Sequence, residues 1–162
     1  MPGNNFHFKK FSISQEKSVF KIGTDGVLLG AAADISGSES ILDIGTGTGL
    51  IALMLAQRSG AFLTAIEPDK DSFEEASENI RRSPWSHRIQ IENITLQEFN
   101  PQKEFDLIVT NPPYFTGSLR NPDEKKASAR HNVSLSGRNT ANCSRSHGRG
   151  WKISDHTALC RR

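Results

Sequence analysis

The chain has 162 residues, a hydrophobic fraction of 35%, a charged fraction of 23% and two cysteines, which suits one soluble domain with a real core. No apolar run approaches the roughly 18 residues of a membrane span, and residues 1–10 lack a signal-peptide pattern, so a cytoplasmic protein is expected. The net charge of +2 hides a split, since residues 1–136 carry 14 Lys/Arg against 17 Asp/Glu while residues 137–162 carry 6 against 1; the body is not a generally basic nucleic-acid binder.

Phe6, Phe8, Phe11 and Ile13, then Val19 and Ile22, alternate loosely around a polar turn at residues 14–17, predicting an amino-terminal hairpin. Thr24 or Asp25 is placed to cap a helix running through Val27, Leu28 and Leu29 to Ala33. Residues 41–44 form the first core strand and lead into Gly45-Thr46-Gly47-Thr48-Gly49. A helix over 50–58 is too apolar to be anything but packed on a sheet. A second strand over 62–66 ends at Glu67, and an amphipathic helix follows over 69–82 with acids in its first turns, as the helix dipole prefers. Residues 88–94 alternate as a third strand, 96–103 connect, and 105–110 make a fourth. This order with short links predicts an α/β fold with a doubly wound, mainly parallel sheet.

Residues 105–115 read FDLIVTNPPYF. The apolar run is that of a buried parallel strand, and the two prolines stop it. Asn111-Pro112-Pro113-Tyr114 therefore sits at the carboxyl end of a strand, where open α/β sheets place their ligands. A stiff Pro-Pro pair lets the Asn111 amide and the Pro112 carbonyl converge on one point. Two converging acceptors suit an NH2 group, and the Tyr114 ring suits a flat group stacked beside it. Accepting both N–H hydrogens of a delocalised amine pulls its nitrogen toward a tetrahedral shape and aims the lone pair at an electrophile.

The glycine-rich loop between strand and helix lets backbone approach a ligand closely and offers free N–H groups. The dinucleotide fingerprint would need glycine at position 50, which is Leu50, so a pyrophosphate cofactor is disfavoured. Glu67, at the end of the next strand, is placed to accept from both hydroxyls of a ribose. An adenosine without a pyrophosphate fits this pattern. Asp43 is open to two readings, a loop cap or a contact to the cofactor's amino group.

With ILDIGTGTGL, Glu67 and NPPY in place, the chain resembles the Rossmann-like class I S-adenosylmethionine-dependent methyltransferases of the amino-methylating branch. NPPY is shared by adenine-N6 methyltransferases of DNA or RNA and by protein-glutamine methyltransferases. The segments FKIGTDGVLLGAAA, LIALMLAQRS, SPWSHRIQI and NPPYFTGSLRNPDEKKASARHNVSLS narrow the likeness, over about residues 5–136, to the bacterial tRNA1(Val) adenine-N6 methyltransferases. These modify the adenine just 3′ of the anticodon of a valine tRNA. The resemblance implies that Asn111, Pro112 and Tyr114 meet the target base. It assigns Gly45, Gly47, Gly49 and Glu67 to S-adenosylmethionine, with Asn111 beside it, and it puts Thr24 and Asp25 in an amino-terminal flap over residues 5–33. Thr95 stands where many class I enzymes have an Asp for the cofactor adenine, so that contact would fall to a backbone group or Gln97. Lys9, Lys10, Lys17, Lys125, Lys126, Arg130 and His131 are candidate tRNA phosphate contacts.

Beyond residue 136 the pattern changes to GRNTANCSRSHGRGWKISDHTALCRR, rich in Arg, Ser and His. A frameshift or other truncation near Ser136 is the expectation. It would leave the last strands missing, the fourth strand as an unpaired edge and 137–162 as a disordered, non-family tail. An inactive cofactor-binding remnant is one alternative this raises. Cys143, His147, His156 and Cys160 make a four-ligand zinc set by residue type, though with an unusual mirrored spacing.

Overall fold

The computed structural model describes residues 5–18 and 20–112, and the backbone of residues 144–145, 151–152 and 158–161. In chain order these form β1 (Asn5–His7), β2 (Ser12–Ser14), α1 (Thr24–Ala32), β3 (Ser40–Ile44), α2 (Leu50–Arg58), β4 (Phe62–Ile66) and α3 (Lys70–Arg81). A short 3-10 turn (Ser86–Arg88) leads to β5 (Ile89–Glu92) and β6 (Leu107–Thr110), and then come β7 (Ser144–Arg145), β8 (Trp151–Lys152) and β9 (Ala158–Arg161).

Five strands make one sheet in the order β5-β4-β3-β6-β9. The β3–β4, β3–β6 and β4–β5 pairs are parallel, as the strand–helix–strand order predicts. The outer edge of β6 is not unpaired, contrary to expectation. β9 runs antiparallel along it, from Leu107 opposite Arg161 to Thr110 opposite Ala158. Part of the 137–162 segment is thus built into the sheet, and its backbone takes up the N–H and C=O groups an edge would leave open.

Alternate residues of β3 face opposite ways. Ile41 joins a core with Leu53, Leu55, Leu63 and Val109, to which α1, α2 and α3 contribute Leu29, Ile51 and Ile80. Leu42 and Ile44 face the other way, against Ile66, Phe99 and Ile108, with Ile94, Leu96 and Phe105 packed around them. Among the described residues that second face is covered by the 94–105 connection, with no helix. The sheet is the Rossmann-like frame expected.

Two local expectations shift. The amino-terminal hairpin pairs Asn5 with Ser14 and His7 with Ser12, so it turns at residues 8–11 and not at 14–17. Stacking decides this: Phe8 and Phe11 lie 4.5 Å apart, and Phe11 meets Trp85 edge-on at 5.8 Å. Thr24 and Asp25 do not cap α1. They are its first two residues, and Gly23 before them makes no side-chain bond.

Candidate active site

Strand register sets the site. Ile44 stands opposite both Ile66 on β4 and Thr110 on β6, so the residues that follow, Gly45, Glu67 and Asn111, leave the sheet side by side. The chain runs outward from β3 through β4 to β5 and then crosses to β6 on the other side. The reversal point between β3 and β6 is where such sheets bind ligands.

At this point the glycine loop is held by backbone. Gly45 and Thr46 donate to the Ile66 carbonyl at 2.9 and 3.1 Å. Gly45, Gly47 and Gly49 have φ of 69°, 58° and 82°, a region that L side chains rarely enter. Among the described residues, a Cβ at Gly45 or Gly47 would meet nothing within 4 Å, so none of them fills the space over the loop. Glu67 is buried beneath it. One carboxylate oxygen accepts from Gly47 N at 2.8 Å and the other from Asp69 N at 3.0 Å. A carboxylate has about four acceptor sites, so two remain. Burial raises the Glu67 pKa against the pull of these two bonds.

Asp43 is fully buried on β3. Its Oδ2 accepts from Thr46 Oγ1 at 2.7 Å and from Ala52 N at 3.2 Å, tying the loop to the first turn of α2. Burial pushes its pKa up to about 6. Of the two readings of Asp43, the loop cap describes these bonds; Oδ1 has no partner among the described residues.

Asn111 follows β6 directly, and Pro112 is buried beside it. Thr110 Oγ1 donates to the Ile44 carbonyl at 3.0 Å, which locks the end of β6 to the strand carrying the glycine loop. Asn111 Oδ1 is buried with no hydrogen-bond partner among the described residues. An unused buried acceptor costs about 1–3 kcal/mol and persists where something else pays for it. Pro113 and Tyr114 lie outside the described residues.

Comparison with known proteins agrees with this arrangement. The sequence profile described as methyltransferase small domain matches residues 15–130. The chain belongs to this methyltransferase family. It is 54% identical over 133 residues to a tRNA1(Val) (adenine(37)-N6)-methyltransferase of Parabacteroides distasonis, covering 81% of this chain and 56% of that protein. A protein of the same description from Trichodesmium erythraeum is 50% identical over 141 residues, covering 84% of this chain and 59% of its own length. The chain thus spans a little over half the length of these curated relatives. A candidate RNA methyltransferase of Pyrococcus horikoshii shares the fold, with a TM-score of 0.50, 24% identity, and coverage of 60% of this chain and 48% of that one.

Other expected site residues fall less centrally. Thr24 and Asp25 are exposed at the start of α1. The Thr95 hydroxyl donates to Glu98 at 2.6 Å in a local turn. Lys9 and Lys10 are exposed, and Lys17 pairs with Glu74 at 3.2 Å; 125–131 lie outside the described residues. Among the described residues no helix is long and apolar enough to cross a membrane. The Cys143, His147, His156 and Cys160 side chains lie outside the described residues.

Sequence reasoning missed the groups that fasten this site from afar. Glu75 on α3 accepts from the backbone N–H groups of Glu16, Lys17 (3.0 Å) and Ser18 (2.8 Å). Asn79, one turn on, donates to the carbonyls of Ser14 and Thr48, both at 2.9 Å, so one carboxamide joins the amino-terminal segment to the glycine loop. Asn93 donates to the Glu67 carbonyl at 2.8 Å. Only the acid spacing of α3 hinted at any of this.

Proposed function

We propose that this methyltransferase transfers the methyl of S-adenosylmethionine to the exocyclic N6 amine of an adenine in tRNA, in valine tRNA the nucleotide 3′ of the anticodon. The observation that carries the reading is Oδ1 of Asn111, a buried acceptor at the switch point that no described residue satisfies, one strand from the space that no described residue fills over Gly45 and Gly47. The names of the curated relatives support the tRNA substrate. A cytoplasmic setting goes with it.

Gly45, Gly47 and Gly49 would admit the cofactor close to backbone, and Glu67 would take its ribose hydroxyls on its two free acceptor sites. When bound, the cofactor supplies an electrophilic methyl on a sulfonium sulfur. Asn111 Oδ1 and the Pro112 carbonyl accept the two N–H groups of the adenine amine and direct its lone pair. Tyr114 gives the flipped base a face to stack on. No strong base is required, because the amine proton becomes acidic only after the new N–C bond forms. Positioning is the main contribution of the protein.

The test is methyl transfer to tRNA, to release factor and to adenine-containing DNA, with Asn111→Ala alongside. Transfer to tRNA alone is expected. Asn111→Ala should lose about 1.5–3 kcal/mol of transition-state stabilisation, roughly ten- to 150-fold in rate. Unchanged turnover in that variant removes the role assigned to Asn111, and transfer to release factor in place of tRNA removes the substrate.

A further inference from the structure

Asn79 sits in the last turn of α3 and is 2% exposed. Its carboxamide is used entirely on backbone from two other parts of the chain. Oδ1 accepts from Ser14 N at 2.8 Å, and Nδ2 donates to the Ser14 and Thr48 carbonyls, both at 2.9 Å. An amide nitrogen carries two hydrogens, so each carbonyl takes one. At the loop this completes a clamp: the peptide joining Thr48 to Gly49 has its N–H donating to the Thr46 carbonyl at 2.9 Å and its C=O accepting from Asn79. A peptide plane held at both ends cannot rotate, and this one enters α2 through Gly49, whose φ of 82° only glycine adopts freely. The same face of α3 holds the amino-terminal segment. Glu75 accepts from the N–H groups of Glu16, Lys17 and Ser18, and Ser72 Oγ donates to Ser18 Oγ at 3.3 Å. Residues 72, 75 and 79 follow helical spacing, so one stripe of α3 carries segment 14–18 and ends on the glycine loop.

We infer that Asn79 is a positioning residue for cofactor binding, which couples the order of segment 14–18 to the shape of the glycine loop. A loop shaped before its ligand arrives binds without the cost of ordering it. Here the bond that shapes the loop comes from the same carboxamide that holds Ser14, so the two regions are steadied together. Coupling of this kind is reciprocal: a ligand on the loop steadies the segment by the factor through which the segment tightens the ligand. A purely structural Asn79 would cost stability and leave affinity alone. The inference rests on the reading of the glycine loop as the cofactor site, and it is independent of the role given to Asn111.

The experiment compares Asn79→Ala with Asp106→Ala in the full chain, with S-adenosylhomocysteine as the probe. Asp106 accepts from Glu39 N, Ser40 N and Ser40 Oγ where β3 begins, at the end of that strand away from the loop, so its loss loosens the fold without touching the coupled regions. Calorimetric titration below both melting temperatures should show Asn79→Ala weakened roughly five- to tenfold, the low end for coupled sites, and Asp106→Ala within about twofold of the parent chain. In the parent chain, saturating S-adenosylhomocysteine should slow amide exchange at residues 16–18; in saturated Asn79→Ala it should not. Unchanged affinity in Asn79→Ala overturns the inference, as does an equal loss in Asp106→Ala or a slowing at 16–18 that survives the substitution. If Asn79→Ala fails to fold, the parent chain decides alone, and exchange at 16–18 that binding leaves unchanged overturns the coupling. If the parent chain binds no S-adenosylhomocysteine, the proposed function fails, while exchange in the free proteins still decides the coupling. Asn79→Ala should then speed exchange in both 14–18 and 45–50, and a change confined to 14–18 overturns it.

Discussion

Glu67 and Glu75 are the same residue type, 7% and 5% exposed, and each gathers backbone N–H groups around a buried carboxylate. Around Glu75 the amino-terminal segment closes completely: the N–H groups of residues 16–18 and the Ser14 hydroxyl all converge on it. Around Glu67, among the described residues, only Gly47 and Asp69 do so, and none of them lies over two of the loop's glycines. The first arrangement is a clasp, complete within the protein. The second is a clasp left half open, and the difference is one of side-chain supply: segment 14–18 folds over its acid, whereas three glycines fold back from theirs.

Removing the closed clasp should have the largest effect. Glu75→Ala strands three backbone donors, of which Ser18 N is buried, and should destabilise the fold by about 3–4 kcal/mol in urea denaturation. A loss below about 1 kcal/mol would mean that water replaces the carboxylate and that the two glutamates are not distinguished by closure.

Asp43 sharpens the comparison from the open side. Its folded pKa of about 6 stands above the ordinary 3.8, so between these values the folded state holds a proton that the unfolded state has released. Stability should therefore fall as pH rises from about 4 to 6, by at most about 3 kcal/mol, and level off above. Glu67, whose pKa is also raised, adds in the same direction. Asp43→Asn keeps an oxygen for Thr46 and Ala52 and should flatten most of that slope; an unchanged slope assigns the titration elsewhere.

The smallest effect is expected at the half-open acid. Glu67→Gln keeps an acceptor for one backbone N–H but loses charge-assisted bonds to ribose hydroxyls, so affinity for S-adenosylhomocysteine should drop about tenfold, or 1.4 kcal/mol. Calorimetric titration reads it directly. A stability loss as large as that of Glu75→Ala with unchanged affinity would make Glu67 a second structural clasp.

Much of the frame was legible in the residues. The helix over Leu50–Arg58 and the strand over Phe62–Ile66 match expectation at both ends, because each is a mainly apolar run with clear stops, Gly49 and Ser59 around the helix and Gly60 and Glu67 around the strand. The glycine loop and the prolines after β6 were equally plain, since Gly and Pro act through their own backbone. The hairpin turn was misplaced by several residues because polar residues at 14–17 look like a turn when their partner, Glu75, is 57 or more positions away. Strand β9 carried no signal, since Ala-Leu-Cys-Arg is too short and mixed to announce itself, and pairing with β6 is a property of the edge it meets.

The amino-acid sequence by itself determined the helices, the parallel strands and their order, and the two loops that flank the switch point, because periodicity and turn chemistry reach only a few residues along the chain. Tertiary structure alone decided that Glu75 gathers the backbone N–H groups of residues 16–18, that Asn79 joins Ser14 to Thr48, and that no described residue donates to the Asn111 oxygen. The first two are contacts between residues 31 to 65 positions apart, made by single side chains, and no local pattern encodes which distant backbone will arrive there.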